Sequence, residues 1–185
     1  MKKIKNVNGI KDPYTRRILS YIINKDAFKI YSKTPAALRK LTRGLSEKQL
    51  RRVPTKGRWP VAFLISHFCD AELVMSFRLR MAIAQSGRRI QAYDQDLWAK
   101  HLSYKASRCK DKLALFEALR TSNIALLKLL TPAQWKKYGI HEERGKETVE
   151  RMVQMLAGHD INHLRQVKEI RNSLLRKTKQ IMVNS

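Results

Sequence analysis

At 185 residues the chain is long enough for one domain with a real hydrophobic core. Its 43% apolar residues, with only 7 Gly and 5 Pro, exclude a disordered linker protein and a turn-rich β sandwich. The formal net charge of +24 is unevenly placed: residues 1–58 carry 17 Lys/Arg against 3 Asp/Glu, whereas 59–130 and 131–185 each carry 11 against 6.

A basic end of this kind can attract nucleic acid or anionic lipid. The charges are interspersed among apolar residues, however, with no long Lys/Arg block and no aromatic-interleaved stripe, which favours a solvated surface. Residues 1–12 read as a loosely held, basic lead-in. No apolar segment follows Met1-Lys2-Lys3-Ile4-Lys5, and no run approaches the roughly 18 apolar residues of a membrane span. Cys69 and Cys109 have no CxxC spacing and no second pair, so neither a disulfide framework nor a cysteine-based zinc knuckle is expected, and a cytoplasmic setting suits them.

Asp12-Pro13 reads as an N-cap followed by proline at the first helical position, opening a short helix to about Asn24. Thr34-Pro35 repeats that start signal ahead of Leu38, Leu41 and Leu45. Ser46-Glu47-Lys48-Gln49 is a capping-box turn, and Pro54-Thr55-Lys56-Gly57 is a loop. Trp59-Pro60 begins a long helix to about Gln85, with Leu64, His67, Phe68, Ala71, Val74 and Arg78 on one stripe; Ser86-Gly87 ends it. The connection from Arg88 to Leu102 contains Tyr93-Asp94 through Trp98 and a short helix. A third long helix spans about Tyr104 to Leu130, closed by Thr131-Pro132. A second connection covers Ala133 to Lys146, and a last helix runs from about Glu147 to Arg176, with Met152, Leu156, His159, His163, Gln166, Val167 and Ile170 on one face. No period-2 segment of useful length and no repeat is present. The fold expected is all-α: a short basic N-terminal extension over 1–26, a four-helix bundle over 27–176 and a tail over 177–185.

His159-Asp160-Ile161-Asn162-His163 is the informative pentapeptide. Histidines at i and i+4 project from one helical face about 6 Å apart, close enough to grip one ion. Both replace apolar residues of the inward stripe between Leu156 and Val167, where an unpartnered imidazole costs roughly 1–3 kcal/mol. His67 holds the equivalent position between Leu64 and Ala71. Three neutral imidazoles make an open site of the catalytic type, while three core histidines satisfied by hydrogen bonds are the structural alternative.

Gly57-Arg58-Trp59 before the His67 helix with Asp70-Ala71-Glu72, Tyr93-Asp94 through Trp98, Gly139-Ile140-His141 through Gly145, and Gly158-His159-Asp160 with His163-Leu164 and Gln166 together resemble the DinB-like (damage-inducible, YfiT-related) superfamily. The resemblance covers about residues 27–171. It implies a four-helix bundle with a divalent metal ion, zinc or nickel, on His67, His159 and His163. It also implies a small-molecule substrate, a low-molecular-weight thiol among the candidates, thiol S-transfer or hydrolysis as the reaction, and pairing as a homodimer. Pro60 departs from the Ser or Thr usual after the tryptophan, which concerns helix initiation rather than ligation.

His141 and Arg78 are the catalytic or substrate-contact candidates: His141 as acid, base or contact, although an exposed loop histidine is the ordinary reading, and Arg78 as a carboxylate clamp. Asp160 and Asn162 read as surface polarity or as groups orienting the histidines, and Asp70 as an extra ligand at the site mouth. Tyr93, Asp94 and Trp98 read as packing residues or as the lining of the mouth. Cys69, two residues after His67 on a helix, should point away from the site. A metal-dependent enzyme is the leading expectation. A non-enzymatic binder of nucleic acid or another polyanion, or a metal or ligand sensor, is the alternative.

Overall fold

A computed structural model describes residues 1–183, with side chains placed through residue 176. The tail expected over 177–185 thus lies entirely outside the described side chains. Helix α1 (Pro13–Ser20) starts where the sequence signals it, the Asp12 carboxylate accepting from the Thr15 amide at 2.6 Å. It stops short of Asn24 because turns follow and Asn24 takes a left-handed φ of 58°.

Helix α2 (Ala27–Thr42) begins at an N-cap on Asp26, not at Thr34-Pro35, which lies inside it. Pro35 has no N–H to give the Tyr31 carbonyl four residues back. That carbonyl instead accepts from the Arg120 guanidinium at 2.7 Å, so the break in the helix ladder is filled by a tertiary bond. Short α3 (Glu47–Leu50) carries the expected capping box of Ser46 and Gln49. Helix α4 (Val61–Ala84) has no side-chain cap at Pro60, whose carbonyl accepts from Phe63 and Leu64.

Strand β1 (Arg89–Ile90) leads to α5 (Gln95–His101), capped by Asp94. Helix α6 (Cys109–Lys128) starts later than expected, because Ser103 adopts φ 53° and the chain turns through residues 102–106. Thr131 and Gln134 cap α7 (Pro132–Trp135), and strands β2 (Tyr138–His141) and β3 (Gly145–Thr148) precede α8 (Val149–Val183). The strands depart from the expected absence of β structure. β2 pairs parallel to β1 and antiparallel to β3, and segments of two to four residues are too short to display alternation. Gly139 permits the close pairing: a Cβ there would lie 2.9 Å from Ile90 Cγ2.

The long helices α2, α4, α6 and α8 form the four-helix bundle, α2 packing on α8 and α6, and α4 on the same two. One apolar cluster, including Leu38, Leu64, Phe68, Phe116 and Val167, fills one part of the bundle. A second, including Tyr31, Leu79, Leu127, Met152 and Leu156, fills another. The basic extension is not loosely held. Ile18, Leu19 and Ile22 pack on Met155 and Ala157 of α8, Asn24 donates to the Ile4 carbonyl at 2.8 Å, and Gln154 donates to that of Lys2 at 3.2 Å. The approach of α1 depends on Gly158, where a Cβ would stand 2.2 Å from the Ile18 carbonyl oxygen. Among the described residues no helix is long and apolar enough to cross a membrane.

Candidate metal centre

The i, i+4 spacing on α8 puts His159 and His163 on the face that meets α4, where His67 projects between them. Their ring centroids lie 4.9, 4.9 and 4.4 Å apart, and one nitrogen from each ring can be chosen such that all lie within 4.8 Å of one another. His67 Nε2 and His159 Nε2 approach to 2.8 Å. Burial, and then the neighbouring histidines, hold the His67 imidazole well below its usual pKa; burial foremost brings His163 down to about 3. Both are therefore neutral, with lone pairs available. Trp59 packs edge-on against His67 at 5.5 Å, and Gln166 Oε1 lies 3.4 Å from His163 Nδ1, a pairing that leaves Nε2 as the free acceptor.

These residues fit a divalent ion. Three neutral imidazoles converge in a buried pocket, and the buried Nδ1 atoms of His67 and His159 have no hydrogen-bond partner among the described residues. Imidazole nitrogen is a borderline donor suited to zinc, nickel and their neighbours.

Behind the histidines lies a layer that the sequence alone did not reveal. Arg120, 1% exposed, donates from Nε to Glu72 at 2.9 Å and grips both Asp160 oxygens at 2.7 and 3.3 Å. The Tyr31 hydroxyl and Asn123 amide donate to the other Glu72 oxygen at 2.6 and 2.7 Å. Asp160 is thus fully buried and paired, correcting the surface reading. Burial pushes its carboxyl up, but the Arg120 charge and hydrogen bonds more than offset this and hold it below the ordinary value. Two carboxylates against one guanidinium leave a net negative charge beside His159, favourable for a cation. Asn162 is half-buried on the adjoining face. Asp70 does not join the cluster; its Oδ1 accepts from Lys112 at 3.1 Å. Cys69 faces the apolar core, where burial pushes its thiol up to about 11.

A cavity of about 380 Å³ opens beside the cluster, lined by His67, His159, Arg78, Tyr93, His141 and Arg144 among others. His141 is not an exposed loop residue. It lies in β2, 2% exposed, because pairing with β1 and β3 draws it inward. Asp94 caps α5 while Tyr93 packs at a tilt against Trp98, ring centroids 4.7 Å apart, so this connection both packs and lines the cavity. Asp12 and Tyr14 of the N-terminal extension complete the wall, a contribution no local pattern announces.

Residues 30–167 match the family model described as the DinB superfamily. The chain belongs to the DinB superfamily. It is 27% identical over 135 residues to a Halalkalibacterium halodurans protein named "Putative metal-dependent hydrolase", covering 73% of this chain and 78% of that one. It is 24% identical over 143 residues to YfiT of Bacillus subtilis, which bears the same designation, covering 76% of this chain and 80% of that one. The solved structure of YfiT, reported as "a probable metal-dependent hydrolase with an unusual four-helix bundle topology", aligns with a TM-score of 0.74. At 22% identity, over 80% of this chain and 85% of that one, it shows a shared fold.

Proposed function

We propose that this DinB-superfamily chain is a metal-dependent enzyme acting on a small molecule in the cavity, with His67, His159 and His163 as the ligands of a zinc or nickel ion. The observation that carries the reading is the convergence of three histidine nitrogens within 4.8 Å, with His67 and His159 lining a cavity of about 380 Å³. A divalent ion on such ligands acts as a Lewis acid and lowers the pKa of a coordinated water or thiol.

The protein's own contribution is orientation and exclusion of water. Trp59 and Phe68 pack against the imidazoles, and the Arg120 layer anchors α8 to α4 and α2 behind them. His141 accepts the Glu143 amide on Nδ1 at 3.2 Å, which puts its proton on Nε2, where it can donate to a bound substrate. The relatives' names favour hydrolysis; transfer to a low-molecular-weight thiol is the other chemistry that the same site would serve.

Elemental mass spectrometry on the untagged protein and on a His159→Ala/His163→Ala variant, both checked for native circular dichroism, tests the assignment. Stoichiometric divalent metal in the parent and none in the variant is the expected result. A parent that holds no metal and cannot be loaded with any divalent ion refutes it.

A further inference from the structure

Arg78 lies eleven residues beyond His67 on α4, just over three full turns, so both side chains project from the same face into the same cavity. It is only 5% exposed, and no carboxylate among the described residues lies within ion-pair distance of it. The nearby acids are engaged elsewhere. Glu147 binds Arg144 at 2.7 and 3.2 Å, Glu142 accepts the Ala92 amide at 2.9 Å, Asp12 caps α1, and Glu143, which also lines the cavity, turns a largely exposed carboxylate to Arg144 at 3.9 Å. Among the described residues the one hydrogen bond of the Arg78 guanidinium goes to the neutral Gln91 carbonyl, its carbon lies 5.9 Å from the Tyr93 ring centroid, and its Nε is buried without a hydrogen-bond partner. A buried cation lacking a counter-charge is costly, and such groups are ordinarily paired. Consistently, burial and then the Arg144 charge pull the Arg78 pKa below its usual value.

A second orphan lines the same wall. His141 Nε2 is buried and unpartnered, and its Nδ1 contact makes that nitrogen a donor. We propose that Arg78 and His141 form a carboxylate-binding subsite of this cavity, which makes the substrate a small carboxylic acid. One uncompensated positive charge with a neutral N–H donor matches a monoanion with two oxygens rather than a phosphate dianion. The carboxylate supplies the missing counter-charge, and the histidine cluster, toward which the Arg78 side chain leans along α4, receives the rest of the molecule. This subsite rests on the proposed function only for what happens at the histidines; the anion contact itself needs no metal.

The test is an NMR titration of the full-length protein, as isolated and after chelator treatment, with sodium butyrate, butyramide and inorganic phosphate. The Arg78 Nε–H and His141 Nε2–H signals are followed, assigned with Arg78→Gln and His141→Phe. Butyrate is expected to shift both signals in both preparations, to bind at least about tenfold more tightly than butyramide or phosphate, and to weaken about tenfold in Arg78→Gln. Arg78→Lys, which keeps the charge without the fork, should fall between, and serves if the glutamine variant fails to fold. Failure of butyrate to move these signals, or tighter binding of phosphate, overturns the proposal. So does butyrate binding that needs the metal and is unchanged in Arg78→Gln, a result that would leave the metal assignment standing. Arg78-dependent butyrate binding in a protein that never takes up metal would do the reverse.

Discussion

Gly158→Ala isolates the contact on which the placement of α1 depends. In an isolated helix the change would favour the helix by about 1 kcal/mol. In the folded protein the new Cβ would stand 2.2 Å from the Ile18 carbonyl oxygen, 2.8 Å from Ile18 Cγ2 and 2.9 Å from the Ile18 carbonyl carbon. Backbone cannot swing aside as a side-chain tip can, so α1 must lift by about 1 Å to reach ordinary contact. Ile18, Leu19 and Ile22, at most 1% exposed, pack through that interface, and each contributes about 1.5–3 kcal/mol by burial. A gap of that size forfeits a quarter to a half of their packing, roughly 1–4 kcal/mol. Net of the helix gain, the variant should lose about 0–3 kcal/mol, overlapping the roughly 1–3 kcal/mol found for overpacked cores. Urea unfolding followed by circular dichroism measures this directly. A Gly158→Ala variant stabilised by the full helix gain of about 1 kcal/mol would show that α1 does not sit on α8 in this way.

Other outcomes follow from the buried charges and thiols. Arg120→Met removes the counter-charge of Glu72 and Asp160 and frees the Tyr31 carbonyl, and should cost about 3–5 kcal/mol by denaturant unfolding. A loss below about 1 kcal/mol would refute the pairing. Cys69 and Cys109, pushed up to about 11 by burial, should not react with a thiol reagent at mildly alkaline pH until the protein unfolds. Because their folded pKa values are raised, the unfolded state loses its thiol protons first. The stability contribution of the two thiols is therefore complete below the ordinary thiol pKa and falls as pH rises toward 11, and Cys69→Ala/Cys109→Ala should flatten that alkaline slope in thermal melts.

Several features were legible from local pattern. The caps at Asp12 and Ser46, the stripes of α4 and α8, and the inward position of His67, His159 and His163 all arise from residues within one or two turns of each other, whereas Thr131, read as the end of a helix, caps α7. Helical periodicity decides which residues share a face, and the DinB-like resemblance rests on the same residues. The errors have a common cause. Thr34-Pro35 carries a helix-start signal, yet the stop is overridden because Arg120, 85 residues on, satisfies the carbonyl that proline leaves free. His141 reads as an exposed loop histidine, and Asp160 as either surface polarity or a group orienting the histidines, because nothing nearby in sequence covers them; β1 buries the first, and Arg120 of α6 pairs with the second. The spacing on α8 determines that two histidines face one way. Only the packing of α4 against α8 decides that a third meets them, and only the closure of α1, α4 and the β2–β3 hairpin makes a cavity in which Arg78 is buried without a counter-ion. Burial of a polar group depends on neighbours distant in sequence, so it becomes visible only when the chain is folded.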